Sequence, residues 1–128
     1  EEEEMIHTAH ASQYHWSQLM TATFVNRARG DWLIARVYTV LEKSGSAIYH
    51  AKRCLDICLE NNFDDFDIAY AFEGIARVFA LNKDENNFSK YYKLALEAGD
   101  KIKNDEDKKL FFNDLNSPPW FDMNIRKK

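Results

Sequence analysis

The stretch "EEEEMIHTAHASQYHW" spaces Glu3, His7, His10 and Tyr14 by four, three and four residues, which is one stripe of a helix. A carboxylate and two imidazoles on one face are the beginning of a metal site, so His7 and His10 are the candidate metal ligands. A closed site needs further ligands from elsewhere, and the helical zinc motif of two histidines enclosing a glutamate is absent. His50, Cys54 and Cys58 form a second stripe at four-residue steps. Its competing reading is a packed helix face, where burial raises a thiol's pKa and leaves it inert. Ser12, Ser17, Ser44 and Ser46 lack a nucleophile-elbow glycine pattern, and no glycine-rich phosphate loop occurs. Asp64, Asp65 and Asp67 fall in a connection where helix capping accounts for them. No motif demands a cofactor.

The elements that must position these residues are helices. The 128 residues are 45 % hydrophobic, 14 % aromatic and 30 % charged, with four Gly and two Pro, which describes one globular domain with little punctuation for sheets. Seventeen basic against 21 acidic residues give a net charge of −4, with Glu1 to Glu4 at the start. That balance offers nothing to a nucleic-acid backbone or an anionic membrane. No apolar run reaches membrane-spanning length and the acidic start is wrong for a leader, so a cytoplasmic chain is expected. Apolar spacing predicts helices over 5–25, from Asp31, over about 47–59, from Asp65 or Asp67, from about Phe88 to Gly99 and over about 106–115. "NRARGD" is read as a break between the first two, Gly45 as the end of the second, Ser46 as the next cap, and Pro118 with Pro119 as the final stop.

Two of these helices carry nearly the same phrase, "IARVYTVL" from Ile34 and "IARVFALN" from Ile75, 41 residues apart. Each phrase sets a small residue, Ala35 or Ala76, three before an aromatic, Tyr38 or Phe79, and small residues such as Cys54 and Ala95 follow on the next helix. Small residues at fixed places let antiparallel helices approach, and the aromatic fills the space beside them.

This pattern resembles the tetratricopeptide repeat over about residues 29–101. The chain departs from that family in placing Phe88 where Ala is preferred, and in a period of 41 against about 34. The extra seven residues are close to two turns of about 3.6 residues, so the apolar face is kept. The resemblance implies an all-α domain: an N-terminal helix over 5–25, repeat one over 31–61, repeat two over 65–101, and a capping helix and tail over 105–128. It also implies a concave face for a protein or peptide partner, lined by Arg29, Trp32, Arg36 and Thr39 in one unit and Tyr70, Glu73, Arg77 and Leu81 in the next. Arg36 and Arg77 are the same letter of the repeated phrase, and as a pair they suit an acidic group. The competing arrangement pairs them internally, Arg77 with Glu73 at i,i+4 and Arg36 with Asp31. Trp120 and Phe121 in "SPPWF" are expected to insert into an apolar seat, on this chain or on a second copy in a homodimer. The alternative function is a small helical metal-binding protein or metal-dependent enzyme built on His7 and His10.

Overall fold

The computed structural model describes residues 2, 5, 6, 9 and 24–123. Five helices follow one another: α1 (Phe24–Val40), α2 (Ser44–Glu60), α3 (Phe66–Leu81), α4 (Glu85–Asp100) and α5 (Asp105–Leu115). The protein is all-helical, with no strand among the described residues. None of the described helices is long and apolar enough to cross a membrane. Residues 2, 5, 6 and 9 are helical, and the remainder of the expected 5–25 helix before Phe24 lies outside the described residues.

The break expected at Gly30 and Asp31 does not occur: α1 runs through both. A glycine inside a helix costs about 1 kcal/mol relative to alanine, and tertiary contacts outweigh it here. Asp31 is buried, its Oδ1 lies 2.8 Å from Nδ1 of His50, and its other oxygen lies 3.4 Å from Nε of Arg53. One carboxylate thereby joins α1 to two turns of α2. The expected internal partner of Asp31, Arg36, points elsewhere.

The hairpin turns also differ from expectation. α1 ends at Val40, ahead of Gly45, which lies in the first turn of α2, and Ser46 is likewise helical, so it does not cap. The reversal is made by Glu42 in the left-handed region (φ 59°), with the amide of Lys43 donating to the carbonyl of Tyr38 at 2.8 Å. Asn62 (φ 54°) and Lys83 (φ 57°) repeat the device, with Phe63 donating to Cys58 and Asp84 to Phe79. Each such bond closes a helix end on a carbonyl five residues back, the arrangement glycine usually serves. Three non-glycine residues hold it here. Starts are better signalled: the Asp84 carboxylate accepts from the amide of Asn87, and the Asn104 side chain from that of Asp107.

α1 packs on α2 and α3, and α3 on α4 and α5, whereas α2 and α4 do not meet. α1, α3 and α5 therefore stand in succession along one side of the molecule, with α2 and α4 behind. Ala35 and Ala76 occupy successive cores. The first core joins Ala28 and Ala35 to Ala51, Cys54 and Cys58 of α2 and to Ile75 of α3. The second joins Ala69 and Ala76 to Tyr92 and Ala95 of α4, Phe111 of α5 and Trp120. Close approach of α4 and α5 depends on Gly99, since a Cβ there would stand 2.5 Å from the Phe111 ring.

Candidate functional site: the α1, α3 and α5 face

Glu73 and Arg77, one turn apart on α3, are each only 1 % exposed. A buried ion needs partners for every polar atom. Arg77 Nε donates to Glu73 Oε2. Its Nη1 donates to the carbonyls of Ser117 (3.0 Å) and Pro119 (2.9 Å), and its Nη2 to that of Asp114 (2.6 Å). The guanidinium also lies 4.1 Å from the centre of the Trp120 ring, at cation–π distance. Burial pushes the Arg77 pKa down from its ordinary value while Glu73 pulls it back up. Glu73 is shared in turn: Trp32 donates its indole N–H to Oε1 at 2.8 Å, and Arg36 donates to Oε2 at 3.3 Å. A second Arg36 donor reaches the carbonyl of Pro118 at 3.2 Å.

The two equivalent arginines therefore do converge on one surface, but what fills it is the chain's own segment 117–119. Trp120 beyond it is buried against Phe88 and Tyr92 of the same chain, and its indole N–H donates to the carbonyl of Leu115 at 2.8 Å. The tail is thus seated in its own chain. The backbone turns back at Phe121 (φ 53°) and Asp122 (φ 67°), and Lys83 donates to the carbonyl of Phe121.

Toward the start of α1 and α3 the same side is open among the described residues. A cavity of about 370 Å³ is lined, among the described residues, by Ala28, Arg29, Trp32 and Leu33 of α1, Cys54 of α2, Phe66, Asp67 and Tyr70 of α3, and Asp114 of α5. Its walls are aromatic. Trp32 and Tyr70 meet edge to face at 5.4 Å, and Phe66 and Tyr70 lie 4.8 Å apart. The Tyr70 hydroxyl donates to Asp114 at 2.5 Å, and burial followed by that bond raises its pKa well above the usual phenol value. Arg29, half exposed at 49 %, binds Asp67 through Nε at 2.9 Å and Nη2 at 3.4 Å.

Of the residues expected to face a partner, Arg29, Trp32 and Tyr70 line this cavity. Arg36, Glu73 and Arg77 form the polar cluster under the tail. Thr39 is buried, its hydroxyl donating to the carbonyl of Ala35 at 2.8 Å, and Leu81 is half-buried at the end of α3. Asp114, Phe66 and Asp67 complete the cavity and were not singled out from sequence for such a role. His7 and His10 lie outside the described residues. His50 turns to Asp31, while Cys54 and Cys58 sit as free thiols in the first core. A hydrogen bond to Cys58, then burial, pushes the Cys54 thiol up. Among the described residues no group of three or more His, Cys, Asp or Glu side chains is arranged to hold a metal.

No protein-family model, no curated protein sequence and no solved structure matches this chain.

Proposed function

We propose that the chain is a tetratricopeptide-like module that binds a protein or peptide partner on the concave side of two long repeats. In this reading α1 with α2 and α3 with α4 are the repeats, α5 caps them, and α1, α3 and α5 line the concave wall. The adjacency of alternate helices supports it, as does the separation of α2 from α4. The observation that carries it is that this side already holds a non-helical stretch of polypeptide, bent at Ser117 and Pro118. Three consecutive carbonyls of residues 117–119 accept from Arg36 and Arg77, and an aromatic anchor follows at Trp120. Main-chain recognition combined with side-chain pockets is how grooves hold peptides. The cavity beside it belongs to the same wall and is filled by none of the described residues, and at about 370 Å³ it falls at the lower end of the roughly 300–1,000 Å³ of ligand pockets.

The test is selection of random heptapeptides from a displayed library on the full chain. Selected peptides are expected to weaken by about thirtyfold on Leu33→Trp, the loss of one anchoring contact. That substitution fills the cavity from a half-buried position. Binding unchanged in a folded Leu33→Trp chain, or no peptide selected at all, overturns the reading.

A further inference from the structure

The inner-face reading leaves open what the cavity recognises, and the inference here rests on that reading. The two arginines that suggest an acidic ligand are already occupied: Arg77 by Glu73, the Asp114 carbonyl of α5 and two tail carbonyls, Arg36 by Glu73 and Pro118. The cavity next to them has the opposite character. Of its charged residues, Arg29 and Asp67 cancel as a pair, which leaves the Asp114 carboxylate. Asp114 accepts from the neutral Tyr70 hydroxyl, and among the described residues no Arg, Lys or His side chain forms an ion pair with it. Three aromatic rings, Trp32, Phe66 and Tyr70, stand around the same space. Aromatic faces carry negative quadrupole charge and attract cations within about 6 Å of the ring centre. One of these walls already does so, since the Arg29 guanidinium carbon lies 5.9 Å from the centre of Phe66.

We propose that the cavity between α1, α3 and α5 takes the cationic head of a basic side chain on a partner peptide, either a guanidinium or an alkylated ammonium, with Trp32, Phe66 and Tyr70 as its aromatic walls and Asp114 as its counter-ion. The apolar lining favours a weakly hydrated cation over a compact, strongly hydrated one. Arginine and trimethyllysine are therefore preferred to lysine. Because Trp32 donates its N–H to Glu73, its ring edge is fixed beside the cavity.

Blocked pentapeptides Gly-Ser-X-Ser-Gly, with X as arginine, trimethyllysine, norleucine or glutamate, test this on the full chain. Binding is read from the Trp32 indole N–H and the backbone resonances of α1 and α3 by NMR titration. The cationic peptides are expected to bind about tenfold more tightly than norleucine, a margin typical of a partly desolvated cation–π site. In Asp114→Asn, which keeps an acceptor for Tyr70, that margin shrinks to about twofold or less. Norleucine binding as tightly as the cations, and lost in Leu33→Trp, overturns the cation assignment and leaves peptide binding standing. Preference for glutamate also overturns it, in favour of the arginines. If no pentapeptide perturbs α1 or α3, the assignment falls, and whether the broader reading falls with it is decided by the displayed library.

Discussion

Replacing Arg77 with Met removes a guanidinium and keeps an unbranched apolar stem of similar reach. Lost with it are the ion pair to Glu73, three hydrogen bonds to the carbonyls of Asp114, Ser117 and Pro119, and the stacking on Trp120. Hydrogen bonds to a charged group contribute about 1.5–3 kcal/mol each, so a plain sum is comparable to the whole stability of a typical domain. The sum is not the cost, because the tail can lift and return its carbonyls to water. What cannot be relieved is Glu73, a buried carboxylate still held by Trp32 and Arg36 but stripped of its nearest cation. Breaking a buried pair on one side costs about 3–5 kcal/mol. Urea unfolding followed by circular dichroism should show that loss as a lower midpoint, and Tm should fall by roughly 10–20 °C. Arg36→Met, at the equivalent letter of the repeat, removes two longer bonds from a side chain 27 % exposed and should cost about 1 kcal/mol. Equal losses from the two substitutions would refute the argument, since they would mean that the letter and not its burial sets the energy.

Trp120→Ala should cost about 3 kcal/mol, the low end for a buried tryptophan because the segment after α5 is non-helical and can shift, and should reduce the near-ultraviolet dichroism contributed by the Phe88, Tyr92 and Trp120 cluster. Gly99→Ala drives a methyl into Phe111 and Phe112 and should cost about 1–3 kcal/mol, whereas Gly45→Ala, with nothing within 4 Å, should raise stability by about 0.5 kcal/mol; urea midpoints compare them. Glu42→Gly and Lys83→Gly relieve left-handed backbone and should each stabilise by about 0.5–1 kcal/mol in the same assay. Tyr70 has a raised folded pKa, so folding binds its proton more tightly than the unfolded chain does: this contribution is complete below the ordinary value of 10.0 and is lost as pH rises above it. Tyr70→Phe should therefore be less stable than the parent at pH 7 and show a shallower decline between pH 9 and 11, and parallel declines would contradict the assignment.

How much of this was legible in the sequence depends on the range of the interaction concerned. The five described helices and their buried faces follow from apolar spacing, and the repeated phrase brings Ala35 and Ala76 into successive cores. The boundaries failed where local preference was overridden. Gly30 reads as a stop until Asp31 is seen joined to His50 and Arg53 across the hairpin, and the true turns carry glutamate, asparagine and lysine where glycine would have announced them. The i,i+4 pair of Glu73 and Arg77 was visible as a competing arrangement. The other partners of Arg77, at residues 114–119, lie some 40 positions away in sequence, and no local pattern links them. The same holds for Asp114, which reaches the cavity only because α5 packs on α3.

The offsets along the inner wall explain why a tail is needed at all. Arg36 reaches 37 residues on to Glu73 and meets a carboxylate at 3.3 Å, while Arg77 reaches 37 residues on to Asp114 and meets a main-chain carbonyl at 2.6 Å. The aromatic donors behave likewise, Trp32 giving its proton to Glu73 and Tyr70 to Asp114. Donors on α1 thus satisfy an acid on α3, and donors on α3 reach an acid on α5. Aspartate is one methylene shorter than glutamate, and its carboxylate is drawn to Tyr70, so it presents Arg77 with its carbonyl and leaves the guanidinium under-satisfied. A fourth inner helix would be one way to complete the set. Here the carbonyls of Ser117 and Pro119 do so instead, and Trp120 closes the second core behind them. The cavity at the other end of the wall has no equivalent closure among the described residues, and Asp114, whose carboxylate accepts from Tyr70, is where an incoming cation would find a counter-ion.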